Sequence, residues 1–349
     1  MGGIRILAVT IKDIAHQCGV SRQSVSYALT GTGRLAPQTR ERILHAARGL
    51  GYRPNSIART MRTGRFGSAT LLLSAQMPTG FLPDPLLQGI HDSLQARDMH
   101  LAIARLADGQ LANPANAPKL IREWSSDGLL VHLAQEMPAA LPELLERYGI
   151  PAIWIDAHRD ADCIYPDNAA AAEDATARLI ELGHQRIALS AYGEPNEPLC
   201  PNTAGLRRIG YERAMRNAGY EPIIFGGDQP VPTHQAIDFT ISWLSRNDRP
   251  TAVITCGHKE MVAVMRAAGV VGLRIPQDLS VVSFTWGGIE QHTLGVTKIF
   301  LPEYEIGKQA VDMLAQKIDA PATPLPRRIL KCQWRDAQTV APPPGALVS

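Results

Sequence analysis

The chain has 349 residues, 45% hydrophobic and 19% charged, with a formal net charge of +2. That length admits about two or three domains around a large buried core, and the balance is that of an ordinary soluble protein. No apolar run is long enough to span a bilayer, and the N-terminal MGGIRILAV is too short for a signal-peptide core, so a membrane protein is excluded and a cytoplasmic location is expected.

The charge is unevenly spread. Residues 1–66 hold 11 basic and 2 acidic side chains, and the remainder holds 24 and 31. A basic head on a mildly acidic body places any polyanion contact on the head, although a solvated charged face has the same composition. The five cysteines, Cys18, Cys163, Cys200, Cys256 and Cys332, are scattered without CxxC or metal-ligand spacing. They fit reduced thiols better than a disulfide framework, and neither metal nor cofactor is implied.

In chain order, VTIKDIAHQCGVSRQSVSYALTG reads as two short helices around a tight turn. Thr10 caps the first, with Asp13 at the capping-box position and Ile11, Ile14 and Ala15 as its buried stripe. Gly19 takes the left-handed geometry that ends a helix, and Val20 plugs the angle. Ser21 caps a second helix with Val25, Ala28 and Leu29 inside and Arg22, Gln23, Ser24, Ser26 and Tyr27 outside. This is a helix-turn-helix suited to the major groove, and on spacing alone an ordinary αα-hairpin serves equally. A third helix follows near Thr39 to Leu50, entered at Pro37, with Ile43, Ala46, Ala47 and Leu50 inside.

Then comes RPNSIARTMRTGR. Pro54 stops the third helix, and Asn55 caps two basic turns from Ser56 to about Arg62. Two turns do not persist alone in water, so the segment either folds against a twin and DNA or is a disordered basic tether.

From Ser68 the rhythm is βαβ. Strands are read at SATLLLS, HLAIARL, GLLVHL, PAIWIDA, RIALSAY, PIIF, TAVITC, SVVSFT, KIFLP and RRILKCQWR. Amphipathic helices fall between them, including one near Lys119 to Ser126, one near Leu141 to Tyr148 and one from Glu303 to Ile318. The number of units favours two doubly wound sheets, with APPPGALVS as a loose tail.

These landmarks, with DGLLVH, IELGHQRIAL, RRIGYERAM, RIPQDLSVVSF and WRDA, occur in one order. The chain resembles the lactose-repressor (LacI/GalR) family of bacterial transcription regulators over nearly its whole length. The resemblance implies a small all-α helix-turn-helix head on an α/β body of two doubly wound lobes, of periplasmic-binding-protein type. It divides the chain into a head over 8–53, a hinge over 54–66 and a body over 67–338, with a tail over 339–349. The N-lobe takes about 67–166 and 301–326, and the C-lobe about 167–300 and 327–338. It further implies a homodimer or tetramer on an inverted-repeat operator in double-stranded DNA.

By the same resemblance Arg22, Gln23 and Tyr27 read bases; Arg forks onto guanine and Gln onto adenine, while tyrosine stands where many members carry Arg or His. Thr10, Ser21, Ser26, Arg34, Thr39, Tyr52 and Asn55 fall at phosphate-touching positions, though Thr10, Ser21 and Asn55 also serve as caps and Tyr52 as core. Ala58 and Met61 match residues that wedge into the minor groove, or Met61 packs a dimer. Arg207 matches an arginine that grips an effector. The Asn-Asp and Asp-Asp pairs that usually hold sugars are replaced by Gly257-His258 and Thr285-Trp286. Those changes leave His258 and Trp286 as candidate contacts for a small, sugar-derived or anionic effector, or leave a regulator whose effector control is lost or passed to a protein partner. No Walker loop, GxGxxG after a strand, HExxH or triad is present, so catalysis is not expected.

Overall fold

The computed structural model describes residues 9–53, 60, 63–74, 82–106, 125–132, 140–190, 203–225, 231–285 and 295–345. Asn55, Ala58, Met61 and Trp286 lie outside the described residues, as do most of the expected hinge helix and of the helix near Lys119 to Ser126. The chain divides into two compact units, Met1–Phe66 and Gly67–Ser349.

In the first unit, α1 (Ile11–Cys18), α2 (Arg22–Thr30) and α3 (Pro37–Gly49) follow the sequence signals closely. The Thr10 backbone N–H donates to Asp13 Oδ2 at 2.8 Å, and the Thr10 hydroxyl donates to the same oxygen at 2.7 Å. Gly19 ends α1 at φ 62°, in the left-handed region that a side chain would strain. Ile14, Ala15, Val25, Ala28, Ile43 and Ala47 meet as the core, with Leu50 and Tyr52 packed at its edge. A core this small holds little reserve, because each fully buried aliphatic side chain contributes only about 2 kcal/mol.

The second unit is built on β1 (Ser68–Ser74), α4 (Asp84–Gln95), β2 (His100–Leu106), β3 (Gly128–His132), α5 (Ala140–Arg147), β4 (Ala152–Ile155), β5 (Cys163–Pro166) and α6 (Asn168–Glu181). It continues through β6 (Ile187–Ser190), α7 (Thr203–Asn217), β7 (Ile223–Phe225), α8 (Ala236–Leu244), β8 (Ala252–Thr255), α9 (His258–Val270) and β9 (Ser280–Thr285). It closes with β10 (Thr297–Phe300), α10 (Glu303–Asp319), β11 (Arg328–Leu330) and β12 (Gln333–Arg335). The described strands form two six-stranded sheets, ordered β11-β5-β4-β3-β1-β2 and β12-β10-β9-β8-β6-β7. Pairing is parallel except for β12 on β10.

Alternate residues of one strand enter different cores, which is what doubly covered sheets require. Leu71 and Leu73 pack with Leu86, Ile90, Ile306 and Leu314, whereas Leu72 packs with Val131, Leu141 and Leu144. In the second sheet Leu189 and Phe284 join Leu179 and Tyr211, and Val253 and Val281 join Leu244 and Val264.

Three expectations are corrected. The strand β5 was not read from the sequence. RRILKCQWR is not one strand: Arg328–Leu330 pairs with β5 in the first sheet and Gln333–Arg335 with β10 in the second. The last passage between sheets therefore lies between Leu330 and Gln333, beyond the expected Pro326-Arg327, and residues 328–330 belong to the first lobe. The tail is not loose where it leaves β12. The Val281 N–H donates to the Thr339 carbonyl at 2.8 Å, and the Thr297 N–H donates to Thr339 Oγ1 at 2.8 Å. The Ser280 hydroxyl donates to the Ala341 carbonyl at 2.9 Å. Buried backbone groups need partners, and the tail supplies them.

Candidate nucleic-acid interface and buried body cluster

In the head, Ser21 accepts the Ser24 N–H at 3.0 Å and so fixes the start of α2. Arg22 and Gln23 follow in its first turn with exposed side chains. Tyr27, one turn on, is half-buried, and Gln23 Nε2 donates to its hydroxyl at 2.8 Å. The Tyr27 ring lies over Gly33, where an added Cβ would fall 2.5 Å from the ring Cγ. Arg40 Nη1 donates to the Tyr27 carbonyl at 3.0 Å and ties α3 to the end of this helix. Arg22 is thus the open cationic fork of α2, while Gln23 and Tyr27 present one hydrogen-bonded pair. Arg34 is exposed in the loop between α2 and α3, and Thr39 and Ser26 are half-buried. Tyr52 packs on the head core, and burial raises its phenol ionisation.

In the body, Arg207 sits in the first turns of α7 and is only 6% exposed. Its Nε donates to Asn168 Oδ1 at 2.8 Å, its Nη1 donates to the Cys256 carbonyl, and its guanidinium lies 4.1 Å from the centroid of the Phe284 ring. Gly210, one turn later, makes this possible. A Cβ there would stand 2.0 Å from the Ala169 carbonyl oxygen, so only glycine lets α7 lie this close to α6. Burial pulls the Arg207 ionisation below the usual arginine range, and the nearby Asp156 and Glu260 carboxyls oppose that.

Three acidic or imidazole groups missed in the sequence join it. His132 ends β3 and Asp156 follows β4, with His132 Nε2 3.1 Å from Asp156 Oδ2. His132 is the last residue of its parallel strand and Asp156 the first beyond its own, at the carboxyl ends where α/β folds collect ligand-binding groups. Glu303 opens α10 and is 3% exposed. Burial, reinforced by Asp156 and opposed by Arg207, pushes its carboxyl well above the ordinary range. Among the described residues Glu303 Oε2, Asp156 Oδ1, His132 Nδ1 and the Ser190 hydroxyl are buried without hydrogen-bond partners. His258 stands half-buried at the first position of α9, just beyond Cys256. Burial lifts the Cys256 and Cys332 thiols to about 12, so neither is a thiolate nucleophile at neutral pH.

A raised carboxyl holds its proton in the native state after the unfolded chain has lost it. Stability should therefore fall as pH rises above the unfolded value, at about 1.4 kcal/mol per pH unit, until native Glu303 ionises. Glu303→Gln should flatten that decline and make the body more stable at pH 8, as read by urea unfolding across pH.

A model for bacterial regulatory proteins of the lacI family matches residues 10–55, and one for the periplasmic binding protein-like domain matches residues 176–340. The HTH-type transcriptional repressor PurR of Serratia proteamaculans is 30% identical over 319 residues, covering 88% of this chain and 90% of that protein. The chain belongs to the LacI family of bacterial regulatory proteins. PurR of Edwardsiella ictaluri is 29% identical over the same shares. The lac repressor dimer bound to operator and the anti-inducer ONPF shares the fold at a TM-score of 0.79 and 20% identity, over 96% of this chain and 100% of that one. The CelR–cellobiose complex shares it at 0.64 and 23%, over 95% and 99%. This LacI-family chain is a DNA-binding transcriptional repressor, not an enzyme, with a periplasmic-binding-protein-like body. No described helix is long and apolar enough to cross a membrane.

Proposed function

We propose that this LacI-family chain works in the cytoplasm as a homodimer on a pseudo-palindromic operator, with a small effector between its lobes setting DNA affinity. The head over 8–53 reads DNA, the linker over 54–66 couples it to the body, and the body binds effector and partner protomer. The observation that carries this reading is the capped α2, which holds Arg22 exposed in its first turn. The lac repressor dimer on its operator supports the assembly, and the CelR–cellobiose complex supports a sugar or sugar-derived effector.

Arg22, Gln23 and Tyr27 would read bases; the bond between Gln23 and Tyr27 makes those two act as a unit, so altering Tyr27 also frees Gln23. Thr10, Ser21, Ser26, Arg34, Thr39, Tyr52 and Asn55 would position the head on phosphates, and Ala58 and Met61 would enter the minor groove. Arg207, His258 and Trp286 would contribute to effector binding. A ligand moves the regulator only by preferring one lobe arrangement, so either sign of response fits the same architecture.

Selection of bound duplexes from a random pool, followed by gel-shift titration, tests the reading. Inverted half-sites and salt-sensitive affinity are expected. Arg22→Ala should weaken the selected site by about 1–3 kcal/mol and relax preference at one base position per half-site. Absence of any salt-sensitive duplex binding would overturn the proposal, and binding indifferent to every metabolite would pass control to a protein partner.

A further inference from the structure

Glu303 is the least expected side chain in the body. It opens a helix, a place where an acid ordinarily faces water, yet it is 3% exposed and one carboxyl oxygen has no partner. The charged and titratable groups around it are Asp156 after β4, Arg207 on α7 and Cys332 between β11 and β12. Asp156 also keeps one oxygen unpartnered, its other oxygen being taken by His132.

Arg207 has already committed its Nε and Nη1, and its flat face covers Phe284. A phosphate or carboxylate ligand would meet one partly used guanidinium among the acidic Asp156, Glu303 and Glu260. A neutral polyol would fill the hydrogen bonds and leave Glu303 protonated, where glutamine would serve as well. An ammonium group offers three donors to carboxyl oxygens that lack partners and supplies the positive charge that makes ionising a buried glutamate favourable.

We propose that Glu303 and Asp156, beside Arg207, form a subsite for a small molecule bearing a protonated amine, with a hydroxyl or carbonyl oxygen turned to the guanidinium. This rests on the reading of the body as an effector-binding unit and names the chemical class it takes. Binding converts the Glu303 carboxyl to a carboxylate, and its proton passes to solvent.

The test is a thermal-shift and calorimetric comparison on the full chain. Glucosamine and putrescine are set against glucose, 1,4-butanediol and glucose 6-phosphate at constant ionic strength. An amine probe should raise the melting temperature and bind at least about tenfold tighter than its neutral counterpart, which corresponds to about 1.4 kcal/mol. Calorimetry in two buffers of different ionisation enthalpy should show proton release near pH 7, and affinity should rise with pH. Glu303→Gln should abolish both the amine preference and the proton release, and Asp156→Asn should weaken amine binding should the first variant fold poorly. Tighter binding of glucose or glucose 6-phosphate overturns the amine subsite and leaves the effector reading standing. No response to any probe, with operator binding intact, overturns both.

Discussion

Replacing Arg207 with alanine is expected to destabilise the body by about 3 kcal/mol or more and to abolish any ligand response. The guanidinium is buried, holds Asn168 and the Cys256 carbonyl, and lies against Phe284. Its loss leaves a cavity, two acceptors without their donor, and buried Glu303 without the cation that opposes its raised ionisation. Arg207→Lys should recover little, because an ammonium cannot hold two divergent acceptors and a ring face together. Urea unfolding, with operator titration alongside, separates the two effects: the head's core is a separate cluster, so salt-dependent DNA affinity should survive where the body remains folded.

Gly210→Ala should be nearly as damaging, at about 3 kcal/mol, although it adds a single methyl group. The new Cβ would stand 2.0 Å from the Ala169 carbonyl oxygen and 3.1 Å from its Cα, so backbone must move. Separating α7 from α6 draws Arg207 away from Asn168, and the cluster loses its geometry with no change in its chemistry. Thermal unfolding should fall first. At temperatures where the variant stays folded, it should mimic Arg207→Ala in ligand binding, whereas Gly205→Ala, on the same helix with open space around its Cα, should leave both unchanged.

The head was legible almost to the atom because its signals are local. Thr10 with Asp13, Gly19, Ser21 and Pro37 act within a few residues of where they stand. The alternation of strands and helices was legible for the same reason. What escaped was non-local. A four-residue strand such as Cys163–Pro166 carries too little pattern to separate from a loop, and no local rule divides RRILKCQWR between two sheets. The cluster was half legible. Arg207 was found only through the family resemblance. His132 and Asp156 lay in view at the ends of GLLVHL and PAIWIDA, and the rule that parallel strands aim their carboxyl ends at ligands singles them out. Glu303 gave no such signal, since an acid opening a helix reads as a favourable charge at the dipole until tertiary packing buries it.

The order of synthesis has a consequence in this topology. The first sheet takes an edge strand from Arg328–Leu330, and the second takes its own from Gln333–Arg335, with Thr339 stitched to Val281 and Thr297 behind it. The first ladder cannot close until Leu330 has left the ribosome, nor the second until Arg335, whereas the three-helix head has every residue of its core by Tyr52. A nascent chain therefore carries a complete three-helix head ahead of two incomplete lobes, which mature together once Arg335 has emerged.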